Sequence, residues 1–122
     1  MFISSPVLGT GIGNFDWIYP SYAAKGLSHS LVANHANNMY INILTETGLL
    51  GFITFSWFLI VLWKEGINFY KGKDNFSYGP GFLGVLLAIS VHGIFDYILY
   101  HPQMAINFMV IMAIFSTEMN NK

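Results

Sequence analysis

The side chains able to do acid–base or hydrogen-bonding chemistry in this 122-residue chain gather at two places. In the first, His35, Asn37, Asn38, Asn42 and Glu46 precede and enter an apolar run that passes through Gly48 and Gly51. Asn38, Asn42 and Glu46 recur at i, i+4 and i+8 with His35 and Thr45 beside them, so a helix here carries a polar stripe down one face. Such a stripe should face protein or water. An ionised Glu46 two turns into an apolar helix is costly against lipid, and therefore needs a partner, a proton, or a route for its carboxylate to the interface. In the second place, His92 and Asp96 stand at i, i+4. A carboxylate at that spacing can fix the imidazole tautomer and raise its basicity, as a general base requires, or simply cap a helix end. The chemistry open to this second pair is general-base proton transfer.

Other chemistries are excluded or unsupported by composition. There is no cysteine, so disulfides and thiolate reactions are out, and all five cations are lysines, so a polyphosphate lacks its bidentate arginine partner. The formal charge of −1 gives no footprint for nucleic acid. His29, His35, His92 and His101 are too irregularly spaced for a metal signature, and residues 9–13 (GTGIG) have the glycines of a dinucleotide loop without a βαβ context. No metal and no cofactor are therefore expected. Gly48 and Gly51 read as helix-packing positions.

The elements that must position these residues are membrane helices. Hydrophobic residues make up 54% of the chain, charged residues 9%, and mean hydropathy is +0.52, against about 25% charged residues in a soluble domain. The fold class expected is an all-α membrane protein with three transmembrane helices after an irregular, partly helical extracytoplasmic segment. Residues 1–37 form that segment, which is rich in glycine and aromatic residues, lacks the basic start of a signal peptide, and suits short helical turns at most. Residues 38–122 form the membrane domain, with spans at about 39–63, 79–95 and 103–117, Pro80 and Pro102 opening the last two. Residues 64–75 read as a polar connecting loop. Three of the five lysines lie in it and Lys122 ends the chain, so the positive-inside rule puts loop and C-terminus in the cytoplasm and the N-terminal segment outside. His29, His35, His92, Asp96 and His101 then share the outer side, where Lys25 is the one cation.

On these residues the chain resembles a known family. The order P-x-x-G-x-G-x-G-N-F from Pro6, then HANNMYINILTETGLLG from His35, then HGIFD from His92 is similar to the C-terminal part of the O-antigen ligase and O-antigen polymerase family, integral membrane glycosyltransferases of the bacterial envelope. The family's usual signature is His-Asn, nine residues, then Gly-x-x-Gly; Asn38, nine residues, Gly48 and Gly51 reproduce its asparagine, spacing and glycines. At the position of the signature histidine stands Asn37, with His35 two residues earlier the nearest imidazole.

The resemblance implies transfer of a glycan from undecaprenyl pyrophosphate, at the outer face of the bacterial inner membrane, to lipid A-core or a growing chain, without metal and with inversion. It implies catalytic roles for His35, Asn38, His92 and Asp96, and substrate binding by Lys25, Asn37, Asn42 and Glu46. Family members carry further spans and outer-loop arginines, so the expected function is that of a fragment completed by an upstream membrane polypeptide. The alternative is a non-catalytic remnant or accessory protein that packs with a larger partner. Ligase and polymerase share this half and are not separated by it.

Overall fold

The computed structural model describes residues 1–22, 36–71 and 79–120, and the regular structure among them is helical throughout. A 3-10 turn (Phe2–Ser4) precedes α1 (Phe15–Tyr22), α2 (Met39–Lys71) and α3 (Gly79–Phe95). A second 3-10 turn (Ile98–Tyr100) then leads into α4 (Pro102–Asn120). Pro80 and Pro102 sit in first turns, where a missing N–H costs no helical hydrogen bond. Asn38 caps α2: its Oδ1 accepts the Ile41 N–H at 2.9 Å.

One boundary differs from expectation. Residues 64–75 were expected to form a loop, yet α2 continues to Lys71. Leu62, Gly66 and Phe69 are buried at i, i+4 and i+7, so the inward stripe runs on past the first lysine. Lys64 and Lys71 stand exposed on the other side of the same helix. Local charge ended the apolar run without ending the helix, because tertiary packing on one face decided.

Helices α2 and α3 pack antiparallel, and glycines let them approach at three levels. A side chain on Gly79 would meet the Tyr70 Cα at 3.0 Å, one on Gly66 would meet Leu83 and Phe82 at 2.9 and 3.0 Å, and one on Gly93 would meet the Met39 Cε at 2.6 Å. From α3, Phe82, Leu86, Ile89 and Gly93 are buried along this seam. Phe115 of α4 closes the far end, stacked on Phe82 with centroids 3.6 Å apart and edge-on to Phe69 at 4.8 Å. At the near end Tyr40 donates its hydroxyl to the Ser90 carbonyl at 2.9 Å. The N-terminus of α2, the C-terminus of α3 and the start of α4 therefore lie at one end of the bundle.

Outside this seam the surface is apolar. Ile53, Trp57, Ile60, Val61, Leu87, Val91, Met109 and Val110 are all exposed. Helix α2 is long and apolar enough to cross a membrane, and only 11% of its most apolar window is buried, unlike the core helix of a soluble protein. Helix α3 is apolar over a shorter 17 residues.

Candidate functional site at a broken helix

Helix α2 is interrupted at Gly48, whose φ of 68° and ψ of −166° lie in a region essentially reserved for glycine. Breaking the helix there frees backbone groups on both sides, and residues 6–11 take them up as a strap. The Thr10 and Gly11 N–H groups donate to the Thr45 and Glu46 carbonyls at 3.0 and 2.9 Å. In return Leu49 and Leu50 donate to the Pro6 and Val7 carbonyls at 2.9 and 3.3 Å. Thr10 Oγ1 adds a further bond to the Thr45 carbonyl at 3.2 Å. Gly9 is the strap's counterpart of Gly48, with φ 71°. A side chain on Gly9 would collide with the Glu46 carbonyl, and one on Gly48 with the Val7 carbonyl. Gly48 is thus a backbone necessity rather than the helix-packing site expected, and a side chain on Gly51 would meet Thr47 of its own helix, not a neighbour.

The polar stripe lies on the side of α2 turned into the protein. Asn42 is fully buried, Thr45 and Glu46 nearly so. Asn42 Oδ1 accepts the Ala36 N–H at 3.0 Å, which fixes the chain entering α2, and Thr45 Oγ1 donates to the Asn42 carbonyl at 2.9 Å. Among the described residues Asn42 Nδ2 has no hydrogen-bond partner, and a buried donor costs about 1–3 kcal/mol to leave unpaired. Glu46 is enclosed by protein, with only 6% of it exposed.

Asn38 is used at both ends of its amide. Beyond capping α2, its Nδ2 donates to the Ile94 carbonyl at 2.8 Å, joining the start of α2 to the last turn of α3. Asp96 follows that turn; its Oδ1 accepts the Tyr97 N–H at 2.7 Å. His92 is exposed in a shallow apolar groove with Leu87, Ala88, Val91 and Phe95, on the outer face of α3. His101 precedes α4 at the same end of the bundle, edge-on to Tyr100. Asn37 is exposed beside Asn38. His35, His29 and Lys25 lie outside the described residues.

Sequence reasoning missed Tyr97 and the strap. Tyr97 is half-buried in the turn after α3, and its phenol ionises above the ordinary value of 10.0, first because burial strips water from the phenolate and second because the Glu46 charge repels it. A neutral phenol and a carboxylate therefore share one neighbourhood, with the Asn42 amide a turn below. On α2 itself the buried Asn42 Nδ2 is a donor and the Glu46 carboxylate one turn on is an acceptor. Among the described residues no three His, Cys, Asp or Glu side chains come together as a metal site.

Compared with protein-family models, curated proteins and solved structures, the chain matches none.

Proposed function

We propose that this chain is the C-terminal piece of a membrane glycosyltransferase of the O-antigen ligase and polymerase type, moving glycan from a polyprenyl pyrophosphate to an acceptor hydroxyl at the outer face of a bacterial inner membrane. The observation that carries the reading is the use made of its signature residues. Asn38, Gly48 and Gly51 are spaced as in that family, Asn38 ties two helices, and Gly48 opens the helix beside the buried Asn42 and Glu46. Asn38, with both functions of its amide occupied, is a positioning residue in this scheme.

In the reaction the acceptor hydroxyl loses its proton as its oxygen bonds to the anomeric carbon, and the carbon–oxygen bond to pyrophosphate breaks with its electron pair going to phosphate. An imidazole near neutrality suits the proton, and His92, one turn before Asp96, is open on the outer face of α3 where a further polypeptide would pack. Stabilising the departing pyrophosphate takes cations that this arginine-free chain does not supply. The upstream partner provides them. The second reading, an accessory or remnant that packs without catalysing, is favoured by one observation: the signature histidine is Asn37, whose amide is no base near pH 7.

The experiment is expression in a ligase-deficient bacterium, with and without the membrane polypeptide encoded beside this chain, followed by assay of surface polysaccharide. Restoration is expected with both together and neither alone, and loss with His92→Ala or Asp96→Ala but not His29→Ala. Restoration by this chain alone would contradict the split, and no restoration by the pair would leave the accessory reading standing.

A further inference from the structure

The N-terminal segment was expected to lie outside the membrane, but its contacts are deep. Thr45 to Leu50, the residues that bind the strap, lie roughly 9–16 Å along α2 from its start at Met39, at 1.5 Å per residue. Half the hydrocarbon thickness of a bilayer is about 15 Å. We propose that residues 1–12 are a re-entrant membrane element, docked by its main chain on the Gly48 break, with its side chains against the acyl chains of that leaflet. The proposal rests on the reading of α2 as a membrane span.

Three observations carry it. The first is the exposed side chains: Ile3 at 92%, Leu8 at 74% and Ile12 at 83% are turned outward, and they continue the apolar surface of Leu49, Leu50 and Ile53 on α2. The second is backbone satisfaction. Non-helical chain is costly in hydrocarbon unless its polar groups are paired, and here five N–H groups of the strap, those of Ser4, Ser5, Gly9, Thr10 and Gly11, donate to carbonyls. The polar side chains are turned back as well: Ser4 Oγ donates to the Met1 carbonyl at 2.6 Å, Thr10 Oγ1 to Thr45, and Asn14 Nδ2 to the Thr10 carbonyl at 3.0 Å. The third is charge. No ionisable side chain precedes Asp16, where α1 begins with exposed Trp17 in the manner of an interfacial anchor. Each of these devices lowers the cost of placing the strap against lipid.

The test is spin labelling of the full chain in bilayers. The chain has no native cysteine, so Leu8→Cys, Ile12→Cys, Ile60→Cys and Lys71→Cys each carry one label. Ile60, exposed on α2, is the lipid reference and Lys71, at the helix end, the aqueous one. Collision rates with oxygen, which partitions into lipid, and with a water-soluble nickel chelate are compared. Labels at 8 and 12 should match position 60, with an oxygen-to-nickel ratio severalfold above that at 71. Nickel access at 8 and 12 while 60 stays lipid-facing would overturn the re-entrant element and leave α2 a span. Shielding from both reagents would overturn the lipid contact in favour of a protein cover. Nickel access at 60 would bring down the membrane reading itself, and the proposal with it.

Discussion

Glu46 is where the cost of polarity in this fold concentrates. Its carboxylate, on a side chain only 6% exposed, lies two residues before the break in α2 and one turn from Asn42, whose Nδ2 has no hydrogen-bond partner among the described residues. Native proteins rarely leave a buried donor unpaired, so this one marks a place of strain or of use. Tyr97 reports on the carboxylate directly. In an absorbance titration, taken as the difference between the protein and Tyr97→Phe, the Tyr97 phenol should ionise above pH 10, and Glu46→Gln should lower its midpoint without returning it to 10.0, because burial, the larger cause, remains. The sign for stability follows. The folded state favours the neutral phenol, so this contribution is fully present below about pH 10 and is lost as pH rises through the raised value. An unchanged midpoint in Glu46→Gln would separate the two residues. The stripe of Asn38, Asn42 and Glu46 was legible in sequence, since a 3.6-residue period puts those positions on one face, and its inward direction followed from the cost of lipid contact. Tyr97 was not, because one tyrosine among seven in an aromatic-rich chain carries no local mark.

At the scale of elements, three long helices could be read from apolar runs punctuated by Asn38, Pro80 and Pro102, signals that act within a turn of where they stand. The continuation of α2 to Lys71 could not, because it depends on Gly66 and Phe69 meeting α3. The Gly48 break was hidden for a deeper reason. Its partner is a backbone stretch about 40 residues away, and main-chain pairing leaves no pattern in side-chain type beyond the glycines that permit it. Those glycines make different claims on stability. Gly48→Ala forces an alanine into a glycine-only region and drives its Cβ into the Val7 carbonyl, so it should cost at least about 1–3 kcal/mol in equilibrium unfolding. Gly51→Ala stays helical but brings its Cβ onto the Thr47 Cβ and hydroxyl, so it is compared in a Thr47→Gly background, where that clash is gone and the net change should be smaller. Equal losses at both positions would mean that the break is not where the strain lies.

Across the whole molecule, the chain is a pair of closely packed helices with a third running back along α3 from one end to Phe115 at the other, wrapped in apolar surface and joined to its own N-terminus in mid-helix. The apolar character that gives α2 the length and composition to cross a membrane was plain from sequence because it needs no tertiary knowledge. The architecture around the polar stripe was not legible in the same way, because it depends on a junction between distant segments. That junction between residues 6–11 and the Gly48 break holds the stripe that the proposed function uses, and its most direct test is amide hydrogen exchange at Leu49 and Leu50 in the bilayer-embedded chain, before and after Gly9→Val. Both amides should be protected in the parent and exchange much faster in the variant, with Leu86 in the α2–α3 seam unchanged. Protection that survives Gly9→Val would show those N–H groups bonded to something other than the strap and would contradict the joint.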